Sequence, residues 1–227
     1  MSEAREAILG RIRRSLQFAA LPAPRGTTTP VPAKPTADRR GLADAFTREL
    51  QALGATVRRA SHPAEAAAMT LSLAEEAGAA QVLAGEQDSA LLQEVLSGLS
   101  SRRIEILNPV VPAEQPERRA RLLELSRAAA GITGALAGLA DTGSLVLLSG
   151  PRSPRLASLL PPVHIALVQA QDLYPSMQSF FEAHPDLAQR GSNLVFITGP
   201  SRTADIELIL TLGVHGPKIL QVVLLEE

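Results

Sequence analysis

From about position 39 onwards, segments with apolar residues three or four positions apart alternate with short apolar runs. This alternation predicts the secondary structure. Four segments with apolar positions three or four residues apart indicate amphipathic helices: RGLADAFTRELQALG, PAEAAAMTLSLAEEAG, DSALLQEVLSGL and EQPERRARLLELSRAAA. Four short runs between and after them indicate strands: TVRRA, QVLAG, RIEILNP and GITGA. Strand and helix in strict alternation imply right-handed crossovers. We therefore expect an α/β fold whose mostly parallel sheet carries helices on both faces.

The segment from 135 to 149 interrupts this alternation. It consists of two apolar runs, ALAGLA and SLVLLS, separated only by Asp141, Thr142 and Gly143. This spacing predicts an inserted β-hairpin in which Gly143 supplies a positive φ. The alternation then resumes with predicted strands at HIALV, NLVFIT and ILQVVLL, and with predicted helices at RLASLL, 175–184 and 204–212.

An amphipathic helix is predicted at residues 2–17, before the α/β pattern begins. Its apolar positions recur at helical spacing, opposite a row of arginines: Ile8, Ile12 and Leu16. The next segment contains five prolines and is typical of an extended linker or strap. We expect a helix and proline-rich strap in residues 1–37 and an α/β domain in residues 38–227. The apolar stripe needs a covering surface, which the α/β domain or another subunit can supply.

Composition narrows the class of protein. Apolar residues make up 45% of the chain and charged residues 20%, which is typical of a folded protein. No apolar run approaches the ~18 residues of a membrane span, and Glu3 and Glu6 argue against a transit peptide, so we expect a cytoplasmic protein. Cysteine is absent, which excludes disulfides and cysteine-ligated zinc or iron–sulfur clusters. Any redox centre must therefore belong to a partner or to a diffusible cofactor.

Charge is distributed unevenly along the chain. Residues 1–40 carry a net charge of +5 and the remainder carries −6. A basic arm is found in many nucleic-acid-binding proteins, but this chain has one Tyr, no Trp and no nucleic-acid motif, so it lacks a platform for stacking bases. A solvated helix face is the favoured interpretation.

The turn ITGPSRTADIE is the strongest candidate for ligand binding. Its backbone amides stand at the predicted start of a helix, where they attract anions, and Arg202 adds a planar guanidinium suited to a carboxylate or phosphate. The acids Asp205 and Glu207 would repel a polyphosphate, which favours a monocarboxylate. In a structural alternative Thr203 caps the helix and the two acids complement its dipole. The candidate anion-binding residues here are Gly199, Ser201, Arg202 and Thr203.

Asp141 is a second candidate, at the tip of the predicted hairpin. Its carboxylate can serve as an acid, a base or a nucleophile, with Thr142 and Gly143 beside a bound ligand. The structural alternative is that Asp141 opens the turn and accepts a hydrogen bond from the backbone two residues on.

Two histidines and one arginine form the third group of candidates. Arg155 lies at a predicted helix start, and His164 follows a proline pair that fixes the backbone entering a strand. The His164 imidazole can then lie at the mouth of a cleft and exchange a proton, and His215 in GVHGP can face the same cleft. The alternative for both histidines is hydrogen-bonded structure. The four histidines show no metal-ligand spacing, and the GxSxG, GxGxxG and HExxH motifs are absent.

Three blocks carry a family resemblance: GITGALAGLADTGSLVLLSG, RLASLLPPVHIALV and VFITGPSRTADIELILTLGVHGPKILQVVLL. With the IRRSL helix and the proline-rich strap in front, they resemble the lactate-utilisation protein C (LUD domain) family. The resemblance implies the NagB/RpiA/CoA transferase-like fold of the sugar-phosphate isomerase and CoA-transferase superfamily. It also implies an iron–sulfur-dependent system that oxidises L-lactate to pyruvate. In that system sister subunits hold cysteine-bound clusters, and the resemblance implies that this chain would be its cluster-free component.

The resemblance also implies which residues form the site. The family's acidic ThrGly turn falls on 141–143, its LLPPxH segment on 159–164 and its GPSRTADIE segment on 199–207. We expect these strand-end loops to converge on one cleft for a small carboxylate. Arg202 and the amides near Ser201 would hold the anion, and Asp141 and His164 would carry protons.

Two other functions are open from the sequence. The chain can be an independent enzyme acting on a phosphorylated or CoA-linked metabolite. It can also be a scaffold whose N-terminal helix docks onto sister subunits, or a homo-oligomer.

Overall fold

A computed structural model describes residues 2–18, 38–85, 89–204, 210–212 and 215–227. The chain divides into two compact units, Met1–Ala33 and Lys34–Glu227. In the first unit a helix, α1, spans Ser2–Phe18, as predicted, and two side chains of its apolar stripe, Ile8 and Ile12, are exposed. The proline-rich segment lies outside the described residues.

The second unit alternates strands and helices. The helices in its described part are α2 (Arg39–Ala52), α3 (Pro63–Glu76), α4 (Ala90–Ser101), α5 (Glu117–Leu125), α6 (Leu156–Leu159), α7 (Met177–Ala183) and α8 (Leu187–Arg190). The first strands are β1 (Thr56–Ala60), β2 (Gln81–Ala84), β3 (Glu105–Leu107), β4 (Ala130–Gly134), β5 (Ala137–Leu139) and β6 (Ser144–Ser149). The later strands are β7 (Val163–Gln169), β8 (Leu173–Tyr174), β9 (Asn193–Ile197), β10 (Arg202–Ala204), β11 (Leu210–Leu212) and β12 (Ile219–Leu225).

The ends of α2 show how the sequence sets the limits of a helix. The Asp38 carboxylate accepts a hydrogen bond from the Gly41 N–H at 2.6 Å, which satisfies an amide that has no partner within the helix. Gly54 takes a φ of +86° just after the helix, a conformation that favours glycine. Between these ends Phe46 and Leu50 are fully buried, so one face of α2 packs on the domain.

Six strands form the main sheet, in the order β1-β12-β7-β4-β2-β3, and all of their pairings are parallel. The predicted mostly parallel sheet is confirmed. From β2 the chain continues to β3 on one side, whereas from β4 it continues to β7 on the other side. The order therefore reverses between β2 and β4, and such a switch point opens a crevice at the carboxyl ends of the strands.

Both faces of this sheet are covered, as predicted. Apolar side chains of α3 and α4 pack on one face, among them Leu73 and Val95. The other face packs against α2 and against two side chains of β6, Leu145 and Leu147. Near β2 and β3 the same face carries α5 and α6, because Leu125 and Ala157 cluster with Leu83 and Leu107 of these strands.

The inserted hairpin belongs to a second sheet with the order β8-β5-β6-β9. Its strands β5 and β6 pair antiparallel through Ala137 and Val146, which confirms the predicted hairpin. Gly143 has a φ of +62°, and a Cβ there would lie 2.6 Å from the Leu50 amide nitrogen. The turn therefore needs glycine both for its backbone conformation and for its close contact with α2.

The helix predicted over 204–212 is wrong at the residues that the structure describes. Strand β10 ends at Ala204 and pairs antiparallel with β11, which begins at Leu210. Residues 205–209 and Gly213 lie outside the described residues. The sequence TADIELILTLG has helical spacing, but its apolar and β-branched residues also suit a strand, and short segments of this kind are ambiguous.

Gly131 of β4 lies against α6, and replacing it tests this packing. A Cβ there would lie 1.7 Å from the Ala157 carbonyl oxygen. We expect Gly131→Ala to lower the free energy of unfolding by about 2–3 kcal/mol, measured by urea denaturation, because backbone atoms must move. Gly150→Ala is the control, since its Cβ would meet no atom within 4 Å. That variant should change stability by less than about 1 kcal/mol, and equal losses in both would contradict the packing argument.

Candidate functional site

A cavity of about 220 Å³ gathers half of the residues that the sequence singles out. We call it the His164 cavity. It opens between α6, the start of β7, the start of β12, strand β9 and the two loops 198–201 and 215–217. The predicted site residues that line it are Arg155, His164, Gly199, Ser201 and His215.

The cavity lies at an unexpected edge of the main sheet. His164 and Leu220 are the second residues of β7 and β12, so the cavity is at the amino ends of these parallel strands. The expected cleft lay at the carboxyl ends. The loop that begins at Thr198 follows β9 of the second sheet, and the loop 215–217 comes after β11 and before β12 in the chain.

Close packing of three elements positions His164. Its strand pairs with β4 so that His164 lies opposite Gly131, the residue without a side chain on which α6 rests. The His164 Nε2 is 2.9 Å from the Thr133 hydroxyl oxygen, two residues further along β4. The side chain is 1% exposed, and its other ring nitrogen, Nδ1, has no hydrogen-bond partner among the described residues. A buried polar atom without a partner is costly to the folded state.

Burial also fixes the charge of His164. It lowers the pKa of His164 from 6.5 to about 4, because the charged imidazolium would lose its hydration. At neutral pH the ring is therefore uncharged and carries one hydrogen.

The two loops at the cavity rim are joined to each other. The Ser201 amide donates a hydrogen bond to the Pro217 carbonyl at 2.9 Å, and a Cβ on Gly216 would lie 3.2 Å from the Ser201 Cβ. Gly199 takes a φ of +98° and lies next to Leu53, so glycine is needed to turn the chain out of β9. At this cavity residues 199–201 of the GPSRTADIE segment lie beside Leu159 and His164 of the LLPPxH segment.

The polar groups around the cavity suit an anion. Arg155 is exposed at the start of α6, and no partner for its guanidinium is found among the described residues. His215 contributes a second imidazole from the opposite loop, and no Asp or Glu is among the lining residues. Two hydroxyls, of Ser158 and Thr198, are already engaged with the Arg155 carbonyl and with the Ser144 hydroxyl.

The hairpin turn lies outside this cavity. Asp141 and Thr142 are exposed, and neither they nor Gly143 line it. A chain of hydroxyls nevertheless leads from the turn to the rim: Thr142 Oγ1 is 2.8 Å from Ser144 Oγ, which is 2.7 Å from Thr198 Oγ1. The turn supports the rim through these contacts and brings no carboxylate into the cavity.

Arg202 is also outside the cavity. Its guanidinium donates a hydrogen bond to the Leu53 carbonyl, at the end of α2, where a cation complements the helix dipole. Thr203 lies in β10, so the predicted capping of a helix at this residue is wrong, and its side chain is outside the described residues. Among the described residues, Arg155 is the arginine that lines the cavity and can bind an anion there.

A larger cavity of about 470 Å³ lies at the carboxyl edge of the main sheet. It occupies the switch point between β2 and β4, beside the start of α4, and none of the predicted site residues line it. Asp172 is on its wall, and burial raises the pKa of this carboxyl while nearby His184 opposes the rise. Gly85 after β2 allows the chain at Arg152 to approach, because a Cβ there would lie 2.6 Å from the Arg152 carbonyl oxygen. The sequence signal that could have indicated this crevice is a glycine at the carboxyl end of each strand: Gly85 directly after β2 and Gly134 at the end of β4.

The described part of the chain offers neither a metal site nor a membrane-spanning helix. It contains no cluster of three or more His, Asp or Glu side chains that could hold a metal ion. None of its helices combines the length and the apolar character needed to cross a bilayer.

The buried neutral His164 makes stability depend on pH. Its pKa is about 4 in the folded chain against an ordinary value of 6.5, so the unfolded chain binds more protons between these values and stability falls as the pH decreases. We expect the free energy of unfolding, from urea titrations, to be lower by about 2 kcal/mol at about pH 5 than at about pH 7.5. His164→Asn should show a markedly smaller difference. Equal pH dependence in both proteins would contradict the burial of a neutral ring.

This α/β domain with a parallel sheet and an inserted hairpin matches a known family. The LUD domain model matches residues 43–225, and the chain belongs to the LUD domain family. A crystal structure of a DUF162 family protein from Deinococcus radiodurans superposes with a TM-score of 0.57 over 83% of this chain and 99% of that one. The identity is 23%, so this likeness supports the fold.

Three relatives show what the sequence resembles. An uncharacterized protein of Neisseria meningitidis is 44% identical over 91 residues, 39% of each chain. Lactate utilization protein C of Deinococcus radiodurans is 36% identical over 101 residues, 44% of this chain and 48% of that one. Uncharacterized protein YkgG of Escherichia coli is 33% identical over 160 residues, 68% of this chain and 66% of that one. The matches with the first two relatives span less than half of those proteins' length.

Proposed function

We propose that this chain is the cluster-free component of an iron–sulfur-dependent system that oxidises L-lactate to pyruvate. We further propose that its His164 cavity binds the small carboxylate. The proposal is supported by family membership and by relatives named lactate utilization protein C in Deinococcus radiodurans, Halalkalibacterium halodurans and Bacillus subtilis. Sister subunits would hold the clusters, since this chain has no cysteine to ligate them.

One observation carries the assignment of the site: an Arg, two His and a rim of loop backbone surround a small cavity whose lining includes no acid. A carboxylate there gains charge-assisted hydrogen bonds from Arg155 without a repelling neighbour. In this proposal Arg155 takes the anion-binding role that the sequence assigned to Arg202. His164, neutral at physiological pH, lies on the wall of the cavity.

The cavity's size agrees with this assignment. At about 220 Å³ it is small for a drug-sized ligand, whose pockets begin near ~300 Å³. A three-carbon acid such as lactate or pyruvate is within its capacity.

A second candidate function is favoured by the larger cavity. An enzyme acting on a phosphorylated or CoA-linked metabolite would use the crevice at the switch point, where α/β sheets commonly bind such ligands. Asp172, whose pKa is raised by burial, would then be its candidate acid or base.

Replacing Arg155 tests the proposed carboxylate site. Arg155→Ala should weaken binding of pyruvate and L-lactate by about tenfold to a hundredfold in isothermal titration calorimetry, because a hydrogen bond to a charged group contributes about 1.5–3 kcal/mol. The matched control is Arg48→Ala, which removes an arginine paired with the adjacent Glu49 on α2, away from the cavity lining. The control should bind as the unmodified chain does.

The same titrations separate the candidates. If Arg202→Ala weakens binding of the two acids by about tenfold to a hundredfold and Arg155→Ala does not weaken it, the anion-binding residue is Arg202. Binding of coenzyme A or ribose 5-phosphate, with no binding of either three-carbon acid, would contradict the carboxylate proposal and favour the enzyme that uses the larger cavity.

A further inference from the structure

We infer that the His164 cavity binds monocarboxylates of about four to five carbons more tightly than three-carbon acids, because its interior, between the two sheets, is lined by hydrocarbon side chains. This inference rests on the carboxylate site proposed above and adds the class of acid that fits it. Pyruvate and L-lactate are then the short members of this class.

Strand β12 supplies one wall of the interior, from the main sheet. Successive side chains of a strand point to opposite faces of its sheet. Leu220 belongs to the same core cluster as Val222 and Leu224, so it points to the face that α2 and β6 cover. Leu220 lines the cavity and is 2% exposed, so it belongs to the interior of the cavity and not to its rim.

Strand β9 supplies the facing wall, from the second sheet. Two of its side chains, Leu194 and Phe196, pack on the cluster that includes α7. Val195 and Ile197 alternate with them and therefore point the other way, and Ile197 packs against the cluster that contains Leu220. Val195 and Ile197 both line the cavity, and both are half-buried. Hydrocarbon side chains from both sheets therefore enclose the interior.

The cation of the site lies at the rim. Arg155 and His215 are exposed, whereas the buried polar side chains in the lining, Ser158 and His164, have partners in the Arg155 carbonyl and in Thr133. Among the described lining residues Arg155 is the one arginine or lysine, and none is Asp or Glu. A carboxylate on Arg155 therefore stays at the rim while the rest of the ligand extends inward. A second charge on that inner part would lose its hydration with no cation beside it.

The volume of the cavity leaves room for a longer chain. About 220 Å³ corresponds to about seven water molecules at ~30 Å³ each. Pyruvate and L-lactate each have three carbons and three oxygens, and bonded atoms take up less space than separate waters, so either acid leaves part of the cavity unfilled. Further methylenes occupy this space and remove more apolar surface from water.

Calorimetry on the full chain with L-lactate, L-2-hydroxybutyrate and L-2-hydroxyvalerate tests the inference, because these acids share one head group and differ by one methylene at each step. We expect each added methylene to tighten binding by about threefold to fourfold. L-malate, which carries a second carboxylate at the end of a four-carbon chain, should bind at least about tenfold more weakly than L-2-hydroxybutyrate.

Val195→Thr tests the wall that β9 supplies, since it keeps the branched shape and adds a hydroxyl among hydrocarbon groups. The gain per methylene should fall below about twofold, while the affinity for L-lactate stays within about twofold of that of the unmodified chain. Val110→Thr is the matched control, because Val110 is exposed and is not part of the lining. The control should keep the full gain, and a full gain in Val195→Thr as well would overturn the assignment of this wall.

The acid series on the unmodified chain decides the inference even if Val195→Thr fails to fold. If L-2-hydroxyvalerate binds no more tightly than L-lactate, the inference is wrong and the carboxylate site stands. If none of the monocarboxylates binds, the carboxylate proposal itself fails.

Discussion

The close contact between α6 and Gly131 determines most of what this domain presents to a ligand. The Ala157 carbonyl of α6 lies where a side chain at position 131 would be, so the helix rests directly on the backbone of β4. This position brings Arg155 to the cavity rim and closes the sheet over His164. Burial keeps His164 neutral, and among the described residues Thr133 is its hydrogen-bond partner. The position of α6, and with it the lining of the cavity, therefore depends on glycine at position 131.

The sequence predicted the elements of the fold well because their signals are local. Apolar spacing placed α2 to α4 and the strands between them, and the AspThrGly turn at 141–143 predicted the hairpin of β5 and β6. The error at 204–212 is also local, since Leu and Ile at these positions satisfy both a helix and a strand. Pairing between β10 and β11 is decided by contacts that spacing does not encode.

Site prediction was limited by topology. Arg155 and His164 were singled out because they stand at a predicted helix start and strand start, and His215 because it lies in the turn GVHGP. The fold brings the three to one cavity. The strand order that puts them at the amino edge of the sheet depends on long-range pairing of β7 with β12 and β4. Thr133 could not be assigned a role because its partner is 31 residues away, and Asp172 belongs to a crevice that appears only when the strand order reverses between β2 and β4.

Two of the cavities in the described part of the chain thus lie at opposite edges of one sheet, a small one that includes Arg155 and a larger one at the switch point. A crystal structure of the protein soaked with pyruvate distinguishes them most directly. Our account predicts ligand density in the His164 cavity, with the carboxylate on Arg155. Density at the carboxyl-edge crevice beside Asp172, with the His164 cavity empty, would contradict it.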